Sequence, residues 1–128
     1  MITKEVNLCG KIVTIGYCYA TEIAFKSYTD EECRSFIHET AELVKANLMP
    51  DAKKSLYLIL SAIVAYYESK GDESPVKDTD LMYNASPEEV AKALAQIILM
   101  WSEFYHLPKG EEAKKEEQAE SEDDSKNA

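Results

Sequence analysis

Residues 56–67 are the most apolar stretch of the chain: Leu56, Leu58, Ile59, Leu60, Ala62, Ile63, Val64 and Ala65 leave few polar positions between them. Wound as a helix, such a segment is apolar on every side, and a helix of that kind is enclosed by the others. It is about a dozen residues long, whereas a membrane span takes about 20. The stretch therefore predicts a central core helix and no transmembrane anchor. Asp51 stands where an N-cap belongs, and Gly71 suits the left-handed position that closes a helix, giving bounds of about 52–70.

The rest of the chain supplies what encloses it. Val6 and Leu8 alternate with Glu5 and Asn7, and Val13, Ile15 and Tyr17 alternate with Thr14 and Gly16. With the turn Cys9-Gly10-Lys11 between them, these runs read as a β-hairpin over 3–17. A helical period follows at about 20–28, where Ile23 and Ala24 share a face with Ser27 and Tyr28, and Glu22 and Lys26 form an i,i+4 pair. Thr29-Asp30-Glu31-Glu32 has the form of a capping box and opens a helix over about 30–48. Its stripe is Cys33, Phe36, Ile37, Thr40, Ala41, Val44 and Leu48, and Pro50 disfavours a helical residue before it.

Residues 71–85 are a polar connection in which Leu81, Met82 and Tyr83 make an apolar patch suited to a helical turn laid on the core. Ser86-Pro87-Glu88-Glu89 joins an N-cap serine, a proline at the first helical position and an acid at the third. It opens a last helix over about 87–106 with the stripe Val90, Leu94, Ile97, Ile98, Trp101 and Tyr105, stopped by Leu107-Pro108. The predicted class is α+β, mainly α: an N-terminal β-hairpin followed by a bundle of about four helices. These form a single compact domain over 1–108, and residues 109–128 form a disordered acidic tail.

Charge narrows the partners. Fourteen basic against 24 acidic side chains give a net charge of −10, and the tail, with eight acids and four lysines, carries −4 of it. No basic run is present for phosphate contacts, so neither nucleic acid nor an anionic membrane is an expected partner. The expected partners are proteins with basic or apolar faces. Met1-Ile2-Thr3-Lys4-Glu5 lacks the apolar run of a signal peptide, and Cys9, Cys18 and Cys33 are odd in number and far apart. Three reduced thiols in a cytoplasmic protein is the expectation.

Chemistry-bearing patterns are sparse. His38 and His106 lie on different elements without metal-ligand spacing, and no serine stands on a Gly-x-Ser-x-Gly turn. Cys33 and His38 are five residues apart and do not face one another on a helix. The paired acids are accounted for by helix starts, and the four glycines form no phosphate-cradling loop. The expectation is a binding protein with no catalytic residues, cofactor or metal. The eight tyrosines and Trp101 are the unusual feature. Three aromatics within residues 101–105 cannot all face one small core, and Tyr57 lies off the line of Leu56, Ile59 and Ile63. Such side chains either border a core with wet hydroxyls or form an interface. The candidate partner-binding residues are Tyr57, Tyr67, Trp101, Phe104 and Tyr105.

The opening Val6-Asn7-Leu8-Cys9-Gly10-Lys11-Ile12-Val13-Thr14-Ile15, followed by Tyr17-Cys18-Tyr19-Ala20-Thr21-Glu22-Ile23-Ala24-Phe25-Lys26, resembles the start of tail assembly chaperones of long-tailed phages and prophages. Those proteins commonly open with a strand, a Gly-Lys turn, a second strand and a helical domain. The resemblance covers roughly the first thirty residues and carries no binding residue into the helical part. It implies a homo-oligomeric chaperone that coats the apolar, helical tape-measure protein before the tail tube polymerises around it. Such proteins often have a longer frameshifted form. Two other readings stay open. One is a small acidic adaptor, secretion-type chaperone or antitoxin-like protein acting as a dimer. The other is a small enzyme or ligand-binding domain with a tyrosine-lined pocket, which would need a deep, enclosed cavity.

Overall fold

A computed structural model of the chain describes residues 1–106. The expected acidic tail and the Leu107-Pro108 stop lie outside the described residues. The chain opens with strands β1 (Ile2–Leu8) and β2 (Lys11–Tyr17), paired antiparallel from Ile2↔Tyr17 to Leu8↔Lys11. Only Cys9 and Gly10 lie between them, both at positive φ (55° and 76°), so Lys11 belongs to β2 and not to the turn. Two left-handed residues make the type I′ turn, whose twist matches that of the strands. The alternation holds in β1, where Leu8 is buried and Asn7 and Glu5 are exposed, but not in β2, where Gly16 is buried along with Val13, Ile15 and Tyr17.

Helix α1 (Tyr19–Thr29) turns a different face inward from the one its periodicity suggests. Thr21 and Phe25 are buried, and Ile23 is 69% exposed. Two contacts set this rotation. The Thr21 hydroxyl donates to the Gly16 carbonyl and accepts from the Cys18 N–H, and Phe25 stacks on Phe36 with centroids 5.5 Å apart. The α1 end also corrects the expected capping box. Asp30 sits in the left-handed region and returns its N–H to the Lys26 carbonyl, while the Thr29 hydroxyl donates to Phe25 and accepts from Glu31. Glu32 pairs with Lys26 at 3.0 Å and does not reach back to a cap.

Helix α2 (Cys33–Lys45) is shorter at both ends than the expected 30–48. Asn47 takes φ 60°, its N–H bonds to the Val44 carbonyl, and the Leu48 N–H bonds to Leu43. This is the Schellman closure, with asparagine where glycine is commoner. Cys33, Phe36, Ile37 and Thr40 of the stripe are buried, whereas Val44 and Leu48 are exposed.

Helix α3 (Ala52–Ser69) is the central element, packed against β2, α1, α5 and the short α4 (Asp78–Asn84). Asp51 caps it by accepting the Lys54 N–H at 2.9 Å, and Gly71 closes it at φ 74° with a second Schellman pair. The patch at 81–83 is therefore a true helix, anchored by the buried Leu81. Helix α5 (Pro87–Phe104) starts on the expected capping box, with Ser86 and Glu89 bonded reciprocally. Its inward line is Val90, Ala93, Leu94, Ile97 and Met100, with Ile98, Trp101, Phe104 and Tyr105 half-buried beside it. One continuous core runs from Leu8 to Met100, and no helix among the described residues is long and apolar enough to cross a membrane.

Candidate partner-binding groove

The hydrophobic surface of α3 exceeds what its neighbours cover. Among the described elements β2, α1 and α5 cover α3 most extensively, and the seven-residue α4 packs against it over a smaller area. Between the first turns of α3 and α4 lies an open groove of about 370 Å³. Leu56, Tyr57, Leu60, Leu81 and Met82 form its walls, with Lys53 and Asp78 among the lining residues. Met82 is 52% exposed, and its unbranched, polarizable side chain adapts to varied apolar partners.

Tyr57 holds one wall with help from α1. Tyr28 stacks on it with centroids 5.1 Å apart and planes 27° from parallel. Burial, then the charges of Glu68 and Asp78, pushes the Tyr28 hydroxyl above its usual range, so it stays a neutral donor. The next side chain along α4, Tyr83, is 82% exposed. An apolar trough bordered by tyrosines suits an amphipathic segment with its apolar face inward.

The five candidate residues fall in three places. Tyr57 is in the groove. Tyr67 lies against the hairpin, where its hydroxyl accepts the Thr14 N–H at 3.2 Å. Contrary to the expectation that three aromatics there cannot all face one small core, Trp101, Phe104 and Tyr105 all pack half-buried against it at the end of α5 and join Tyr17, Tyr19 and His38 in one aromatic cluster. Phe104 packs on Tyr17 and Tyr19 at 5.7 and 5.2 Å, and His38 stands edge-on to Trp101 at 5.1 Å. The same Glu22 oxygen accepts from the Tyr17 and Tyr105 hydroxyls, each at 2.7 Å, and Arg34 covers the Tyr105 ring at 5.5 Å. Three aromatics thus share a crowded corner by tilting onto other rings. None of the three is fully exposed.

The rings of this corner are closely packed. Burial raises the Tyr17 hydroxyl far above its usual range and pushes the Cys33 thiol up to about 12, with the Tyr17 hydrogen bond opposing the latter shift. A thiol held there is protonated at neutral pH and is a poor nucleophile. Cys9, Cys18 and Cys33 are all free thiols, and no group of three or more possible metal ligands converges among the described residues.

Leu56, Leu60, Leu81, Met82 and Tyr28 were not among the candidates. Two signals pointed to them: a helix apolar all round with few elements available to cover it, and the isolated patch at 81–83 in a polar connection. Compared with protein-family models, curated proteins and solved structures, the chain matches none.

Proposed function

We propose that this chain is a cytoplasmic tail assembly chaperone of a long-tailed phage or prophage, shielding an apolar helical segment of the tape-measure protein and self-associating as it does so. The observation that carries the reading is the open apolar groove between α3 and α4, bordered by Tyr28, Tyr57 and Met82. A helix laid there would bury its apolar face against Leu56, Leu60 and Leu81 while the strong negative charge of the chain keeps the complex dissolved. The hairpin-helix opening supports the same family.

Co-expression with the long coiled-coil protein encoded beside it tests this. The expected result is a soluble complex with the native chain, and loss of partner capture with Met82→Glu or Tyr57→Ser, both on the groove. A partner that stays equally insoluble and unbound beside the native chain sinks the reading.

A further inference from the structure

The hairpin has two outer edges, and among the described residues only the β2 edge is hydrogen-bonded to the rest of the fold. The two-residue type I′ turn makes Leu8 and Lys11 a pair that exchanges hydrogen bonds. Stepping along the ladder, Val6 and Val13, Lys4 and Ile15, and Ile2 and Tyr17 do the same. The backbone groups of Thr3, Glu5 and Asn7 therefore point away from β2, as those of Ile12, Thr14 and Gly16 point away from β1. On the β2 side two of these groups are taken: Thr14 N–H donates to the Tyr67 hydroxyl, and the Gly16 carbonyl accepts from the Thr21 hydroxyl, while Ile12 near the turn is exposed. On the β1 side no hydrogen bond among the described residues reaches them, and Thr3, Glu5 and Asn7 are exposed. A groove of about 460 Å³ lies between this strand, at Glu5 to Asn7, and Glu88, Lys92 and Gln96 of α5.

We propose that the free edge of β1 binds an extended, basic segment of a partner protein as a third strand. Charge decides the occupant. Lys92 is matched by Glu88 at 3.0 Å and the Glu89 carboxylate by the turn amides, whereas Glu5 has no ion pair among the described residues. A segment with lysine or arginine on the face shared with Glu5 meets an unmatched carboxylate in a chain of net charge −10. On the opposite face Ile2 and Val6 are half-buried against the core, which favours apolar side chains there, so the segment alternates basic and apolar residues.

A second copy of the chain fits worse. Two-fold pairing of β1 with itself centred on Lys4 sets Lys4 against Lys4, and pairing centred on Glu5 sets Glu5 against Glu5, both unfavourable. Pairing centred on Val6 runs Thr3 into Cys9, whose left-handed backbone cannot continue a strand.

The test is NMR titration of the full chain with a short peptide alternating valine and lysine. The expected result is shifted and exchange-protected amides at Thr3, Glu5 and Asn7, and binding weakened about tenfold by Glu5→Lys. Because Glu5 is exposed, that variant should keep the native melting temperature; Glu5→Gln should weaken binding less. Equal binding of the same peptide N-methylated along its backbone overturns the proposal, since such a peptide keeps its charge and cannot pair. So do perturbations confined to other residues, equal binding of a valine–glutamate peptide, or self-association that protects the β1 amides.

Discussion

The Glu89 carboxylate accepts the backbone N–H of Cys9 at 3.0 Å, joining the hairpin turn to the first turn of α5 across 80 positions of sequence. A second oxygen of the same group takes the Gly10 N–H at 3.4 Å, and the first also serves the Ser86 N–H. Cys9 holds a left-handed backbone that costs a non-glycine residue about 1 kcal/mol. The carboxylate offsets that strain by engaging both turn amides, while the Cys9 thiol donates to the Asp80 carbonyl at 3.3 Å. The capping acid of α5 is thus also the latch of the hairpin.

The latch makes stability pH-dependent in a defined direction. Hydrogen bonds from Ser86, then from Cys9 and Gly10, hold the Glu89 carboxyl below its usual 4.5. A depressed folded-state value means that the contribution is complete above about pH 4.5 and is lost as pH falls through the lower folded value. At neutral pH, Glu89→Gln should melt a few degrees below the native chain, and the gap should close on acidification. Thermal unfolding from pH 7 down to 3 checks this; a gap that is constant with pH removes the charge from the explanation.

Asn47 sets where α2 stops. It is exposed and left-handed, so its side chain contributes little beyond tolerating φ 60°. Asn47→Ala should cost about 1 kcal/mol and lower the melting temperature by about 4–8 °C, whereas Asn47→Gly should be neutral or slightly stabilising. If alanine is tolerated as well as glycine in a thermal melt, the Schellman closure does not fix the helix end.

What the sequence made legible were the features with a local cause. Ser86-Pro87-Glu88-Glu89, Asp51 and Gly71 act through their own neighbours, and each stands where its chemistry places it. Thr29 and Glu32 carry the same local signal and were claimed by competitors, the Phe25 carbonyl and the Lys26 ammonium. The inward face of α1 could not be read from periodicity, because Gly16 and Phe36 decide it from other elements. The groove was half legible. Tyr57 was visible as an aromatic off the core line, but its opposite wall depends on where α4 lands.

Cys33 should be the last thiol to react. It is buried, and with its thiol raised to about 12 only about one molecule in ten thousand is thiolate at pH 8. Brief treatment of the folded chain with iodoacetamide at pH 8 should label the partly exposed Cys18 and leave Cys33 unmodified until denaturant is added. Mass spectrometry of the peptides decides it. Comparable labelling of both under native conditions would mean that the α1–α2 corner opens readily.

The five aromatic candidates should separate by what each one touches. Phe104 and Trp101 are half-buried against Tyr17, Tyr19, His38 and Tyr105, so removing either ring opens space that the crowded corner cannot refill. Phe104→Ala and Trp101→Ala should each cost about 2 kcal/mol or more. Tyr57 faces the groove on one side and loses mainly its stack with Tyr28, so Tyr57→Ser should cost about 1 kcal/mol or less. Urea unfolding of the three variants measures this directly. The ordering carries the argument, because a ring kept for packing and a ring kept for a partner differ in what their loss does to the free protein. Should Tyr57→Ser destabilise as much as Phe104→Ala, the groove wall is core and the partner-binding surface must be sought elsewhere on the chain.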